Sequence, residues 1–380
     1  MARPLPFVPE VGVLGTGSVL GSRRVDNAAL KGMISNYDES SGDFGAWVER
    51  VTHIQERGWC APGESVGTMG TAAAHRALEA SGVPREEVDL VLLGSFTMKE
   101  LYPGDGVDIA RSINPRCGYV ALNAGCAGSV YGMALGASMV RAGWARNVVV
   151  IGAEQLTGAT NLADPITAIL FADGAGAAVI GRRRGAAPDT GWVDRVVLKH
   201  DYAPGNIMMD NANLTIPGRI VGPAPDRRHG VAVERQALVM EGGPRVLRNA
   251  VNAMAEATVE LLGYTMDDLK DDDPGLREAL AGVHLVPHQA NGRIVDGLQE
   301  KLGLPVDRVY RTVYRTGNMS AATNMVTLDH AVREGNLRRL EREDGTGEIS
   351  PCGRRLQAGD LVVLVTIGAG YLYGAVGFRL

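Results

Sequence analysis

Asn123-Ala124-Gly125-Cys126-Ala127-Gly128-Ser129 is the stretch of this 380-residue chain around which the predicted fold is arranged. It follows a short strand-like segment, 118–122, and precedes a run rich in Ala, Met and Leu, 130–142, that predicts a helix. The first N–H groups of a helix lack intrahelical partners and the macrodipole is positive there, so we expect a lowered thiol pKa and a nucleophilic cysteine. A small buried core cysteine is the alternative, because free cysteine is among the most buried residue types.

The composition indicates a globular chain that is long enough for two substantial cores, with 45% hydrophobic and 21% charged residues. An aromatic content of 5% and a formal charge of -5 argue against a nucleic-acid-binding protein. The longest apolar run, 361–378, is interrupted by four glycines, so it predicts two buried strands joined by a turn and not a membrane span.

The cysteines indicate a reduced protein without a metal site. Cys60, Cys117, Cys126 and Cys352 form no Cys-x-x-Cys pair, and no histidine cluster accompanies them. Unpaired thiols suit a reducing compartment. Residues 1–10 contain three prolines and no apolar segment of the kind found in secretory signals, so we expect a cytoplasmic protein.

Two parts of the chain follow a similar order of segments. The apolar strand predicted at 88–94 resembles 282–287, and the strand at 147–152 resembles 360–367, each of the last two leading to a glycine-rich turn. The segment 317–322 occupies the place that the Cys126 turn has in the first half. This repetition predicts an α/β fold built from two similar halves packed together.

The boundary between the halves is expected in the basic connector 182–187, which gives an N-terminal half, 1–186, and a C-terminal half, 187–380. Within the first half, 65–81 predicts an Ala-rich helix with Ser65 as its N-cap and Gly82 as its stop.

Three further segments provide side-chain or backbone groups that can act together with a cysteine nucleophile. His288 follows an apolar strand directly, and ligands bind at the carboxyl ends of strands in open α/β sheets. Asn318 lies in the second-half turn, and the N–H groups of Gly368-Ala369-Gly370 can bind a developing oxyanion. Each has a plainer interpretation: a structural histidine, a helix N-cap and a tight turn.

Four motifs together resemble β-ketoacyl-acyl carrier protein synthase III, a family of thiolase-like condensing enzymes. They are Ala124-Gly125-Cys126-Ala127-Gly128, the segment 171–179 (FADGAGAAV), the segment 287–293 (PHQANGR) and the segment 317–322 (GNMSAA). The resemblance covers nearly the whole chain. It implies a five-layer αβαβα fold, a homodimer, and a Cys-His-Asn site reached through a pantetheine tunnel.

The resemblance implies a role for each matching residue. Cys126 is the acylated nucleophile, His288 and Asn318 promote decarboxylation, and the backbone N–H groups of Cys126 and Gly370 form the oxyanion hole. The implied substrate and coenzyme A contacts are Trp47, Asn291, Phe171 and Tyr102, the last reaching the partner's acyl pocket. The implied carrier-protein contacts are Arg248, Arg293 and Lys301. A half-buried surface aromatic for Trp47 and a solvated charge for Lys301 are the plainer alternatives.

Two departures from the family pattern affect the nucleotide site. Val51 and Pro165 stand where the family has arginines, and this removes two cations that bind phosphate. One hypothesis is that a carrier protein is the acyl donor, or that coenzyme A binds more weakly, as in a specialised pathway such as polyketide starter-unit selection. The segments 201–225 and 341–357 are further candidates for shaping specificity.

The leading prediction is a condensing enzyme that needs no cofactor beyond its coenzyme A or phosphopantetheine thioesters. Cys126 accepts an acyl group, and a malonyl-type thioester on an acyl carrier protein then decarboxylates and extends it, as in priming of fatty-acid or polyketide synthesis. One alternative is an acyltransferase that passes the acyl group to an alcohol or amine, with His288 as general base. A non-catalytic partner subunit is the other.

Overall fold

The computed structural model describes residues 3–34, 37–38, 40, 42–99, 103–160, 162–183, 191–201, 243–343 and 345–380. Within those ranges, no helix combines the length and the apolar character that crossing a bilayer requires.

Fifteen strands and twelve α-helices are assigned in these ranges. The strands are β1 (Phe7–Val8), β2 (Val11–Leu20), β3 (Arg23–Asp26), β4 (Glu56–Trp59), β5 (Val88–Gly94), β6 (Gly118–Leu122), β7 (Asn147–Gln155), β8 (Asp173–Arg182), β9 (Gly191–Val193), β10 (Val197–His200), β11 (Val283–Pro287), β12 (Asn336–Glu341), β13 (Gly347–Cys352), β14 (Leu361–Gly368) and β15 (Leu372–Arg379). The helices are α1 (Asn27–Lys31), α2 (Phe44–Thr52), α3 (Val66–Ser81), α4 (Asp105–Ile113), α5 (Gly128–Arg141), α6 (Pro165–Ala168), α7 (Gly243–Leu261), α8 (Met266–Lys270), α9 (Pro274–Ala281), α10 (Gly292–Leu302), α11 (Val313–Thr316) and α12 (Thr323–Arg333).

Two large mixed sheets form the centre of the molecule. The first has the strand order β2-β8-β7-β5-β6, in which β5 pairs in parallel with β6 and β7, and β8 runs antiparallel to β7 and β2. The second has the order β1-β9-β15-β14-β11, with β10 also paired to β15. In it, β11 and β14 are parallel and β15 is antiparallel to β14. The strand order β5-β7-β8 of the first sheet therefore recurs in the second sheet as β11-β14-β15, and this confirms the predicted repetition.

Helices cover both faces of each sheet and produce five layers. Helices α3 and α4 pack on the outer face of the first sheet, and α7 and α10 cover the outer side of the second. Helices α5 and α12 lie between the two sheets and contact strands of both. This arrangement confirms the predicted αβαβα fold, and it explains why β7 and β14 are buried along almost their whole length.

Equivalent turns precede the two central helices. A 3₁₀ turn, Gly125–Ala127, leads into α5, and another, Ser320–Ala322, leads into α12. Both turns therefore lie in the middle layer, where the two halves meet. The proposed division at residue 186 stays a prediction, since residues 184–190 are outside the described ranges; β1, from the start of the chain, pairs with β9 in the second sheet.

Candidate active site

Cys126 lies deep in the molecule, at the start of the central helix α5. Its side chain is 8% exposed. Two features allow this placement: Gly125 has a φ of 52°, and Gly368 lacks a Cβ that would lie 3.0 Å from the backbone nitrogen of Cys126. The turn after β14 is therefore packed directly against the nucleophile candidate.

The environment of Cys126 favours the neutral thiol. Together its neighbours raise the thiol pKa to about 11, with burial as the largest cause and the carboxylate of Glu154 as a further one. The Ser320 hydroxyl and the backbone N–H groups of Cys126 and Ala369 lower the pKa. The expectation of a lowered pKa was wrong, because a position at a helix start does not compensate for removal of the sulfur from water.

His288 follows β11 directly, as predicted, and is held rigidly. Its backbone N–H donates to the Val365 carbonyl at 2.8 Å, and its side chain is buried with 1% exposure. The ring Nδ1 lies 2.5 Å from Thr323 Oγ1. In the described part of the chain Nε2 has no hydrogen-bond partner. Burial lowers the pKa of His288 to about 3, so the imidazole is neutral at physiological pH.

Asn318 is fixed by hydrogen bonds on both sides of its backbone. Its N–H donates to the Leu170 carbonyl, and its own carbonyl accepts from Ala172 N–H, both at 2.9 Å. Its Oδ1 accepts the Ser320 N–H at 2.8 Å. Because Oδ1 is engaged, the amide nitrogen Nδ2 is the group left to meet a substrate, and it can only donate a hydrogen bond.

Ser320 connects the three predicted residues. Its hydroxyl donates to Cys126 Sγ at 3.2 Å, its N–H donates to Asn318, and its carbonyl lies 2.9 Å from the Thr323 hydroxyl that contacts His288. Ser320 is fully buried and has a φ of 46°, which is uncommon for a residue with a side chain. A cysteine, a histidine and an asparagine far apart in sequence are thus joined by one hydrogen-bonded turn.

Sequence reasoning gave no role to Ser320 or Thr323, although Ser320 lies inside a quoted motif. The signal that identifies them is the equivalence of the two 3₁₀ turns. It places 320–323 opposite the turn that contains Cys126.

The proposed oxyanion donors lie at the same place. Gly370 has a φ of 77°, so the turn 368–370 bends sharply beside Cys126. The N–H from this turn that interacts with the sulfur, however, belongs to Ala369. The role of Gly370 stays a prediction.

Two of the residues predicted to contact the substrate or coenzyme A, Trp47 and Asn291, lie on α2 and at the start of α10. Trp47 on α2 is half-buried beside Tyr37 and Phe44, with ring centroids 5.4 and 5.7 Å away. Asn291 caps α10 and donates from Nδ2 to the Val51 carbonyl at 3.1 Å, so it ties α10 to α2. Phe171 is 2% exposed and packs in the core, where its backbone pairs with Asn318. It positions Asn318 and offers little surface for direct substrate contact.

The predicted carrier-protein contacts lie on two neighbouring helices. Arg248 on α7 and Arg293 on α10 are exposed, whereas Lys301, near the end of α10, is partly buried.

Tyr102 lies outside the described residues, as does most of the segment 201–225. Pro165 is the first residue of α6. Across the described ranges, no three His, Cys, Asp or Glu side chains gather in a way that would hold a metal ion.

Two family models match the chain. One describes 3-oxoacyl-[acyl-carrier-protein] synthase III and matches residues 120–197, which include Cys126. The other describes the C-terminal part of 3-oxoacyl-[acyl-carrier-protein] synthase III and matches residues 283–342, which include His288 and Asn318.

Whole-chain comparisons extend the similarity. The β-ketoacyl-[acyl-carrier-protein] synthase III of Rhizorhabdus wittichii is 32% identical over 372 residues, which cover 97% of this chain and 98% of the relative. The crystal structure of the Thermus thermophilus synthase III has a TM-score of 0.74 at 30% identity and covers 97% of this chain and 99% of that one. The priming β-ketosynthase of the R1128 polyketide pathway also has a TM-score of 0.74 at 30% identity, covering 100% and 99%. This chain belongs to the β-ketoacyl-[acyl-carrier-protein] synthase III family.

Proposed function

We propose that this member of the family, an acyltransferase, forms an acyl-enzyme on Cys126 and then condenses it with a malonyl-type thioester carried by an acyl carrier protein. The observation that carries the proposal is the turn at Ser320, which contacts the Cys126 sulfur, orients the Asn318 amide and connects to the His288 ring. A buried thiol, a neutral imidazole and an amide donor in one place match both halves of this reaction.

In the first half-reaction, the Cys126 thiolate attacks the carbonyl carbon of an acyl thioester. The carbonyl electrons move to oxygen, where the backbone N–H groups of Cys126 and Gly370 are the proposed donors. The intermediate collapses, the original C–S bond breaks, and the departing thiolate takes the proton that the cysteine lost.

In the second half-reaction, a malonyl thioester binds with its carbonyl oxygen between His288 Nε2 and Asn318 Nδ2. Carbon dioxide leaves, and the electron pair of the broken C–C bond forms an enolate whose oxygen these two donors stabilise. The enolate carbon attacks the acyl group on Cys126, and the cysteine leaves as a thiolate. Negative charge develops on this oxygen only as carbon dioxide leaves, so the two donors stabilise the transition state more than the bound substrate.

The product is a β-ketoacyl thioester that is two carbons longer than the acyl group, or branched if the extender carries a methyl group. The similarity to synthase III enzymes and to a priming ketosynthase supports a role in starting fatty-acid or polyketide chains. The alternative of acyl transfer without decarboxylation is less well supported, because Asn318 presents a donor where a base-orienting carboxylate would serve deprotonation better.

The substrates are coenzyme A or carrier-protein thioesters, and no further cofactor is part of the proposal. With Val51 and Pro165 at the two arginine positions, we expect acylation from a carrier protein to be at least as fast as from coenzyme A. Rates of Cys126 acylation from the same acyl group on both carriers test this preference, and faster acylation from coenzyme A would refute it.

Two surfaces support the proposed partners. Exposed Arg248 and Arg293 provide positive charge for an acidic carrier protein. The edge strand β6 pairs only with β5 among the described residues, and its Val120 is 42% exposed. An exposed apolar edge strand suits pairing with a second copy of the chain in a homodimer.

A cytoplasmic location completes the proposal and is supported by four free thiols.

The reaction type is tested by incubating acylated enzyme with malonyl-carrier protein. Condensation predicts release of one carbon dioxide for each extended product. Transfer of the acyl group to an added alcohol or amine without carbon dioxide would favour the alternative reaction. Absence of both activities in the folded protein would support a non-catalytic subunit.

A further inference from the structure

Thr323, the first residue of the central helix α12, forms a hydrogen bond with the ring of His288. The Thr323 side chain is fully buried. Its hydroxyl has a single proton and two acceptors within reach, His288 Nδ1 at 2.5 Å and the Ser320 carbonyl at 2.9 Å. If the hydroxyl donates to Nδ1, the neutral imidazole carries its proton on Nε2. If the hydroxyl donates to the Ser320 carbonyl, Nδ1 can carry the imidazole proton and donate it to the hydroxyl oxygen.

The Ser320 carbonyl has a hydrogen-bond donor even without the Thr323 hydroxyl. It already accepts the backbone N–H of Thr323, in the hydrogen bond that closes the 3₁₀ turn. For His288 Nδ1, by contrast, the Thr323 hydroxyl is the one partner among the described residues. Both observations favour donation from Thr323 to the ring.

We propose that Thr323 is a positioning residue that holds His288 in the tautomer with its proton on Nε2. With Nδ1 accepting from Thr323, the ring presents an N–H to the substrate and works alongside Asn318 Nδ2. The opposite tautomer would aim a lone pair at the enolate oxygen and repel it. The inference rests on the proposed condensing reaction and adds the residue that prepares one of its two donors.

The first test measures the tautomer directly. In enzyme labelled with ¹⁵N-histidine, the ring nitrogen shifts of His288, assigned with a His288→Asn variant, report the protonation of each nitrogen. The proposal predicts a protonated Nε2 and an unprotonated Nδ1 near neutral pH. A protonated Nδ1 in the wild-type enzyme would overturn it, and this measurement does not depend on the folding of any Thr323 variant.

The second test separates the two half-reactions in Thr323→Val, which keeps the shape and removes the hydroxyl. Single-turnover acylation should change little, whereas carbon dioxide release from malonyl-carrier protein by pre-acylated enzyme should fall by roughly tenfold or more, since one orienting hydrogen bond is lost. Thr323→Ser keeps the hydroxyl and should restore decarboxylation.

The matched control is Thr327→Val, one turn further along α12. Thr327 is equally buried, and its hydroxyl bonds to Thr312 at 2.8 Å, away from His288. Equal losses in both half-reactions for Thr323→Val, or equal decarboxylation defects in the two valine variants, would contradict the proposal. If wild-type enzyme forms no acyl adduct at all, the proposed function itself fails, and that outcome is distinct.

Discussion

The ionisation of Cys126 depends on opposing effects from named neighbours. Burial and the Glu154 carboxylate raise the thiol pKa, and the Ser320 hydroxyl lowers it by donating to the sulfur. A hydrogen bond to a charged group is stronger than one to a neutral group, so it stabilises the thiolate more than the thiol. Ser320 therefore makes the Cys126 thiolate easier to generate.

Replacement of Ser320 with Ala should raise the thiol pKa further. The pH profile of single-turnover acylation should then move upward by about one pH unit, which corresponds to one hydrogen bond of roughly 1.4 kcal/mol. Ser129→Ala is the matched control, because Ser129 is a neighbouring buried serine whose hydroxyl has no partner in the described part of the chain. A profile that stays in place in Ser320→Ala would show that its bond to the sulfur has no such effect.

Sequence reasoning at this scale identified the side chains of the candidate site but not their surroundings. The types and flanking segments of Cys126, His288 and Asn318 are local features that can be read along the chain. Their connection through Ser320 and Thr323 joins residues up to 194 positions apart, and it depends on how the sheets stack. The thiol pKa was mispredicted for the same reason, since burial is a property of the folded molecule.

At the scale of elements, Glu154 near the end of β7 organises the turn that follows β5. Its carboxylate accepts hydrogen bonds from Ser95, Phe96 and Thr97, and it is completely buried. Burial raises its pKa from 4.5 to about 8. Between these values the folded protein keeps a proton that the unfolded chain has lost, so stability falls as the pH rises from about 4.5 to about 8.

Glu154→Gln should remove this contribution to the pH dependence. The free energy of unfolding, measured by urea denaturation at two pH values inside that window, should fall less with increasing pH in the variant than in the wild type. Parallel pH dependences in the two proteins would mean that Glu154 does not retain its proton in the folded state.

Gly152 marks the closest approach of β7 to the turn that contains Ser320. A Cβ at this position would lie 2.1 Å from the Ala321 carbonyl oxygen, which is backbone and cannot rotate away. We expect Gly152→Ala to cost about 3 kcal/mol of unfolding free energy, near the upper end for overpacking, and to weaken decarboxylation by displacing Asn318. Gly282→Ala, where the nearest atom is 3.6 Å away, should leave both unchanged, and similar losses in the two variants would contradict this account.

Many elements follow from the sequence alone because their signals are local. Ser65 caps α3 and Gly82 ends it in the left-handed conformation, as predicted. The apolar run 361–378 forms the antiparallel strands β14 and β15. The hairpin of β12 and β13 was not predicted, because its strands are half-exposed and lack a clear alternation. The segment 341–357, which contains β13, was identified only as a candidate for shaping specificity.

At the scale of the whole molecule, the proposed homodimer depends on the edge strand β6. Val120→Lys places a charge on this edge and should shift the protein from dimer to monomer in size-exclusion chromatography with light scattering. Val306→Lys is the control, because Val306 has a similar exposure of 39% but lies in a 3₁₀ turn, Val306–Arg308, and not on β6. A monomeric wild type, or a Val120→Lys variant that stays dimeric, would contradict the proposed interface.

The overall architecture was predictable because the two halves repeat the same order of strand and turn. The repetition of β5-β7-β8 as β11-β14-β15 is visible as similar apolar segments in the sequence. The pairing of β1 with β9 was not predictable, because a two-residue strand has no pattern of its own and is defined by its partner.

The most direct test of the account is the location and fate of the acyl group. After incubation with an acyl thioester, mass spectrometry of the intact protein and its peptides should find one acyl group per chain on the peptide that contains Cys126. Malonyl-carrier protein should then remove it with an equal amount of carbon dioxide. A full-stoichiometry adduct in Cys126→Ala, or removal of the acyl group without carbon dioxide, would contradict the central claim.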